Sequence, residues 1–261
     1  KTMILSVFIT VISGHDKPQP PGCLLGNEEY SIDEQKTPIG HTNVSGPKDL
    51  IFSGSGSILL TDNIELQNGG MIFDENEKYE VKSNNDNIYT FKGVGLDIGK
   101  GSFVNWDIKY AQNDPLHKIG EGELNVTRTQ NTNLKTGNGT VILSANKAFN
   151  NIYMVNGLPT VKVNAENSLS AGDYAGIYFS ERGGTLDLNG YNQEFKKIAA
   201  TDSGTTITNT SENKSLLKIT HKDNYIYHGN INGNIQLGVS LEIGNFCTLS
   251  TLFNQSRCVT D

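Results

Sequence analysis

The sequence predicts an all-β fold, a right-handed single-stranded parallel β-helix (β-solenoid) with irregular N- and C-terminal extensions. Three observations predict it. A strand-and-turn unit recurs about every twenty residues, the corners are rich in glycine and asparagine, and helical periodicity is almost absent. Of 261 residues 28 are Gly and about thirty are Asn, both turn formers. Hydrophobic residues make up only 36% of the chain. A solenoid tolerates that modest share because stacked rungs bury the inner residues between them. At 19% charged residues the chain is not a highly charged disordered polymer. With 21 basic against 28 acidic residues it carries a net charge of -7. It therefore offers no general attraction to phosphate backbones, and no nucleic-acid partner is expected. The length suits one extended domain or two small ones.

The recurring unit is a Gly/Asn/Ser turn followed by a short strand of alternating apolar residues. It is read at Gly54–Leu60, Asn68–Phe73, Gly99–Trp106, Gly120–Val126, Gly137–Leu143, Asn156–Val163, Gly183–Leu188 and Gly204–Thr208. Anchored on the last turn glycine, the gaps are about 14, 31, 21, 17, 18, 27 and 20 residues, and the long gap holds a further strand, Tyr79–Lys82. A propeller blade needs roughly 40–45 residues and its own signature. A sandwich shows strands every 8–12 residues with stronger alternation. Neither fits. In a rung of about twenty residues, two or three short strands turn at sharp corners. Leu124 and Val126, Val141 and Leu143, and Leu186 and Leu188 then point inward and stack on their equivalents one rung away. Right-handedness follows the crossover preference of parallel strands. Phe195–Ala200 suits either one helical turn or a strand.

The flanks read differently. Five of the seven prolines, Pro18, Pro20, Pro21, Pro38 and Pro47, fall between Gly14 and Pro47, which marks linker or irregular loop. His15, Asp16 and His41 lie there as solvated loop residues. Met3–Ile12 has the length of a signal-peptide apolar region, but no small-x-small cleavage site follows. It is expected to be a strand of an upstream domain cut by the fragment boundary. Cys23, Cys247 and Cys258 have no zinc-type spacing. Cys247 and Cys258 either close a small loop or stay unpaired. The expected organisation is 1–46 irregular segment, linker or remnant of an upstream domain, 47–237 parallel β-helix stalk, and 238–261 a non-family C-terminal tail.

Four ordered motifs carry a resemblance. His117–Val126 (HKIGEGELNV) with Leu134–Leu143 (LKTGNGTVIL) resembles the HKIGEGTLxV…LKVGDGTVIL pair of the immunoglobulin A protease-like autotransporters. That group includes the serine protease autotransporters of enteric bacteria and the Haemophilus adhesion-and-penetration type. Asn156–Val161 is similar to the group's SGRPTV, and Arg182–Gly190 to its RGGxLDxNG. Phe195, Ile198, Asp202, Gly204 and Asn209 continue that pattern. Phe91–Gly95 and Val104–Trp106 fit WxGAGxxV…TVNWxV, with Phe91 replacing an aromatic and Val94 an alanine. The coverage runs from about Gly46 to Ile219. Physically these motifs do structural work: paired glycines allow positive φ at corners, and Trp106, the only tryptophan, caps or fills a rung. Asp187 and Asn189 suit an outward polar face beside inward Leu186 and Leu188.

The resemblance implies an exported passenger: an N-terminal chymotrypsin-like protease domain, a β-helix stalk and a C-terminal outer-membrane barrel. This sequence lacks the GDSGS nucleophile motif. Asp202-Ser203-Gly204 sits at a rung motif, so Ser203 is not expected to be catalytic. No run of barrel strands follows, and Lys1–Thr42 and Gly238–Asp261 differ from a stalk. Truncation or frame interruption would account for both ends. The expected function is a non-catalytic stalk fragment whose parent is a serine endopeptidase acting on host proteins. No catalytic, cofactor-binding or metal residue is assigned, and no cofactor is expected. The expected partners are host extracellular proteins or glycans through the parent, and the parent's barrel; the chain is expected to be a monomer at the bacterial cell surface or outside it. One alternative is a β-helical adhesin binding host glycans or matrix, with Tyr174, Tyr178, Tyr191, Tyr225 and Tyr227 as the platform. Another is a polysaccharide lyase or hydrolase using Asp74, Glu75 and Glu77, or Asp173 and Glu181 with Arg182. These carboxylates do not repeat across rungs and read better as solvated turns. The sequons at Asn43, Asn125, Asn138, Asn209, Asn213 and Asn254 follow from composition and carry no inference.

Overall fold

The computed structural model describes residues 49–60, 62–83, 89–111, 115–155, 157–169, 176–179, 183–200, 204–221 and 226–241, plus the backbone of Glu28–Ser31, Thr248–Leu249 and Cys258–Val259. Among them there is no helix; all regular structure is strand. Among the described residues between Leu50 and Leu241, consecutive strands along the chain do not pair; they pair in parallel with strands of the neighbouring rungs, which is the signature of a parallel β-solenoid. The chain divides into two compact units, 1–124 and 125–261, with the boundary inside strand Glu123–Val126.

In the first unit three parallel ladders form. One runs Glu28–Ser31, Leu50–Ser53, Met71–Phe73, Leu96–Ile98 and Leu116–Ile119. The second joins Gly56–Leu60, Lys78–Ser83 and Phe103–Asp107. The third joins Ile64–Glu65, Thr90–Lys92 and Lys109–Tyr110. The chain visits the three in turn, so each rung has three short strands. Alternation then sets the interior. Ile58, Val81 and Trp106 stack in one inward column, each 0–3% exposed.

The second unit repeats the plan. Leu134–Thr136, Asn151–Met154, Gly176–Phe179 and Lys197–Ala199 form one ladder. Thr140–Leu143, Thr160–Val163, Gly184–Asp187, Thr205–Thr208 and Asn230–Ile231 form another. Gln193–Phe195, Ser215–His221 and Ile235–Leu241 form the third. Leu134, Ile152, Ile177 and Ile198 stack as one inward column, and Val141, Val161, Leu186 and Ile207 as a second; all eight are buried. Burying each such side chain is worth about 1.5–3 kcal/mol, so the columns account for how a chain of modest hydrophobicity holds together.

Leu124, Val126, Val141, Leu143, Leu186 and Leu188 are fully buried, as alternation predicts. Two expectations change. Gly54–Leu60 and Asn68–Phe73 are not equivalent positions of successive rungs: Gly56–Leu60 and Met71–Phe73 belong to different ladders. The true partner of Gly56–Leu60 is Lys78–Ser83, the strand inside the long gap, and using it removes the irregular spacing of 14 and 31. The physical reason is that Gly and Asn occur at corners leading to more than one face, Gly54 and Gly56 into one ladder and Asn68–Gly70 into another, so a local motif does not tell which face follows. Phe195–Ala200 resolves as two strands, Gln193–Phe195 and Lys197–Ala199, turning at Lys196.

Aromatic rings fill the first unit. Phe52 stacks on Phe73 at 5.2 Å, and Phe73 meets Tyr79 at 5.0 Å. Trp106 fills its rung, edge-on to Phe91 at 5.7 Å. The Tyr79 hydroxyl donates to the Phe52 carbonyl at 2.9 Å, which ties one rung to the previous one from within. Burial raises the Tyr79 pKa well above the ordinary tyrosine range, with the charges of Asp74 and Glu77 adding to it. Replacing Tyr79 by Phe keeps the ring and removes only the donor. The expected loss is about 1 kcal/mol of stability, read as a shift of the urea midpoint at unchanged slope; an unshifted midpoint would show that the bond adds nothing net.

Candidate functional site

The chemically distinctive residues of this solenoid sit at its corners, where polar side chains are drawn inside to satisfy backbone groups. Within HKIGEG, alternation over Leu116–Ile119 turns Leu116 and Lys118 inward and His117 and Ile119 outward. Lys118 occupies the inward position that Leu96 holds one rung earlier. It is 0% exposed, and its ammonium donates to the carbonyls of Gly120 at 2.8 Å and Gly122 at 2.7 Å. Burial lowers its pKa to about 8, with Asp97 and Glu123 pulling the other way. The glycines are required here: Gly120 has φ +80°, and a Cβ on it would collide with the Ile98 carbonyl.

A second corner closes over Asn209, which is 5% exposed and uses both ends of its amide. Its oxygen accepts from Gly190 N–H at 2.9 Å and Ser211 N–H at 3.1 Å. Its nitrogen donates to the Asn213 carbonyl at 2.7 Å and the Asn234 carbonyl at 2.9 Å. One side chain thus clips three successive rungs. Asp187 does not face solvent as its place in the alternation suggests. It is 5% exposed and accepts from Thr210 Oγ1 at 2.7 Å, Thr210 N–H at 3.1 Å and Asn189 N–H at 2.9 Å. Asn189 stands at φ 49°, and so also do Asn76, Asn131 and Asn167 adopt positive φ, the conformation asparagine tolerates best after glycine. On the outside of the same unit Ser144 links Asn125 and Asn164 in a further polar column.

The residues singled out for catalysis do not converge. Asp74 and Glu75 are exposed turn residues, and Glu77 accepts from Ser55 Oγ while its own N–H donates to Ser102 Oγ at 2.9 Å. This is a turn held by two neighbouring serines. Asp173, Glu181, Arg182, Asp202, Ser203, His15, Asp16, His41, Cys23 and Cys247 lie outside the described residues. Cys258 sits opposite Leu249 in a short antiparallel pair. Among the described residues no cluster of three or more His, Cys, Asp or Glu is placed to hold a metal ion, and no helix is long and apolar enough to cross a membrane.

Nor do the tyrosines form one platform. Tyr174 and Tyr225 lie outside the described residues. Tyr227 packs on Phe179 at 5.9 Å and donates to the Asn230 carbonyl, and burial pushes its pKa up to about 12. Tyr178 stacks instead on Tyr153, at 4.7 Å and 8° between planes, with Lys197 4.5 Å from the Tyr178 ring centre. Register puts Lys135, Tyr153 and Tyr178 in one outward column. Tyr153 escaped the sequence reading because only the rung-to-rung register pairs it with Tyr178.

These features define a parallel β-helix whose corners are sealed by buried polar clips. No family model matches the chain. It is 60% identical over 214 residues to the serine protease Pet autotransporter of Escherichia coli, covering 82% of this chain and 16% of that protein. It is 57% identical over 190 residues to the Escherichia coli serine protease EspP, covering 73% of this chain and 14% of that one. The immunoglobulin A1 protease autotransporter of Haemophilus influenzae is 38% identical over 187 residues, covering 69% and 12%. Among solved structures, the passenger domain of the plasmid-encoded toxin, an autotransporter enterotoxin of enteroaggregative Escherichia coli, superposes with a TM-score of 0.69 at 64% identity. It covers 75% of this chain and 21% of that one. The Haemophilus influenzae Hap adhesin gives 0.62 at 26% identity, over 76% and 25%. The chain is a homologue of the serine protease autotransporters and corresponds to a β-helical stretch of their passenger. It spans about one sixth of the length of the curated relatives it matches. The 214-residue match is longer than Gly46–Ile219, so the likeness continues beyond at least one end of the motif-bearing stretch.

Two outcomes are expected from the clips. Between about pH 8 and 10.5 Lys118 is less protonated in the native than in the unfolded chain. Its contribution to stability therefore rises with pH across that window, at up to about 1.4 kcal/mol per pH unit. Lys118→Met should remove that rise, seen as the difference between the two urea-unfolding series from neutral pH to pH 10.5. Identical slopes would mean the amine is solvated. Asn209→Ala strands two part-buried donors and two carbonyl acceptors and should cost about 1–3 kcal/mol, with hydrogen-exchange protection lost first at Gly190 and Ser211.

Proposed function

We propose that this chain is a non-catalytic spacer of an exported passenger, one that holds a chymotrypsin-like serine endopeptidase domain away from the cell surface and leaves peptide-bond cleavage to that domain. In this reading the parent acts on host proteins as a virulence factor, a C-terminal outer-membrane barrel carries it out, and the stalk lies outside the cell. The observation that carries the reading is the unbroken rung-to-rung register within each unit, with an interior filled by Leu, Ile, Val and aromatic columns. Such stacking is nearest-neighbour and self-propagating: each folded rung presents the template for the next at small closure cost. Rung-by-rung folding outside the cell would favour outward movement of the chain.

The test exchanges this chain for the matching segment of the Pet autotransporter. Secretion and proteolysis per secreted molecule are expected to match the original. Val161→Asp or Leu186→Asp in the grafted segment, which puts a carboxylate in an inward column, should reduce the amount of secreted passenger several-fold while leaving proteolysis per secreted molecule unchanged. Loss of proteolysis per molecule with secretion intact would place the segment in the catalytic machinery and end the spacer reading.

A second reading, contact with an acidic host glycan, draws on the Lys135, Tyr153, Tyr178 and Lys197 strip and on the likeness to an adhesin. Tyr178→Ala should then abolish retention on sulfated or sialylated glycan arrays without altering the melting temperature; equal retention of both proteins would dismiss it.

A further inference from the structure

Five Asn-Gly pairs occur in the sequence, beginning at Asn68, Asn138, Asn156, Asn189 and Asn232. In such a pair the glycine backbone nitrogen is unshielded by a Cβ and can approach the preceding side-chain amide. Attack requires a side chain that is not held elsewhere and a glycine N–H that is not committed to an acceptor. Asn156 lies outside the described residues. The remaining four differ sharply in how the fold treats those two requirements.

At Asn68 the side chain is exposed, but Gly69 N–H donates to the Leu66 carbonyl at 2.8 Å. At Asn189 both partners are held: its Nδ2 donates to the Val163 carbonyl at 3.1 Å, and Gly190 N–H donates to Asn209 Oδ1 at 2.9 Å. The Asn138 side chain is laid over the next rung, its Oδ1 filling the space a Cβ on Gly157 would need. Asn232 is different. Its side chain is exposed and its backbone N–H donates to the Ile207 carbonyl at 3.0 Å; among the described residues its side-chain amide meets no partner and Gly233 N–H meets no acceptor.

We propose that Asn232 is a site of spontaneous deamidation, and that corner hydrogen bonds protect Asn68 and Asn189, and packing against Gly157 protects Asn138, from the same chemistry. The Gly233 nitrogen forms a bond to Asn232 Cγ, the bond from Cγ to the side-chain nitrogen breaks, and ammonia leaves carrying the proton lost by Gly233. Water then adds to one or the other carbonyl of the cyclic imide and opens it, giving aspartate or isoaspartate. No oxidant or cofactor is involved. The position gives the event a structural consequence. Asn232 lies in the corner between Asn230–Ile231, which pairs with Thr205–Thr208, and Ile235–Leu241, which pairs with Ser215–His221. Isoaspartate lengthens the main chain by one carbon between two strands whose registers are both fixed. It also adds a negative charge at an exposed corner. Ageing at this one residue therefore loosens one rung while leaving earlier rungs intact.

The experiment ages the whole purified chain at neutral pH and physiological temperature, natively and in denaturing urea. Peptide mapping and enzymatic isoaspartate labelling follow each Asn-Gly pair over time. In the native protein Asn232 should convert at least about tenfold faster than Asn68 and Asn189, whose glycine N–H must first leave its acceptor. In urea the rates should converge. Equal native rates would overturn the proposal. A difference that persists unchanged in urea would also overturn it, since local sequence and not the fold would then be setting the rates. Asn232→Ser should abolish the labelled peptide at this corner, and a signal that survives the substitution would assign the modification to another residue.

Discussion

Everything in this molecule depends on residue-for-residue register between successive rungs. Parallel neighbours exchange backbone hydrogen bonds only when equivalent positions lie over one another, and the same condition lines up the side chains. A shift of one residue would turn Val141, Val161, Leu186 and Ile207 out to water and bring Thr140, Thr160, Thr185 and Thr206 inside. The hydrophobic interior and the backbone ladder are therefore one constraint, not two, and the apolar columns are what fix it.

Corners are where that constraint is hardest to meet, because the chain must turn sharply while its carbonyls and N–H groups are shielded from water. A buried backbone polar group without a partner costs about as much as a lost hydrogen bond. Lys118, Asp187 and Asn209 answer that cost from inside, each spending several bonds on neighbouring backbone groups. Lys118 is the extreme case: a charged side chain placed in a column otherwise held by Leu50, Met71 and Leu96, tolerated because two glycine carbonyls meet its ammonium. Burial lowers its pKa by more than Asp97 and Glu123 raise it.

Such a construction suits a spacer. Its stability is distributed over equivalent nearest-neighbour steps. The likeness to serine protease autotransporters extends over most of this chain, at identities from 38% to 60%. The motifs HKIGEG and RGGTLDLNG mark the corners at which the framework would fail if altered: one supplies Lys118 with its glycines, the other supplies Asp187 and Asn189.

Alternation and corner composition, both local properties of the chain, were enough to determine the strands, the parallel solenoid and the inward residues Leu124, Val126, Val141, Leu143, Leu186 and Leu188. The face to which each strand belongs was not local information. Asn68–Phe73 and Gly54–Leu60 look alike in sequence, and only the hydrogen-bonded partner one rung away distinguishes them. The same holds for the polar clips and for the Tyr153–Tyr178 stack: a lysine, an aspartate or an asparagine at a turn reads as solvated until the next rung is laid over it. Burial in a solenoid comes from a neighbour roughly twenty residues away, so tertiary stacking decided which polar residues are interior and which asparagines remain open to solvent.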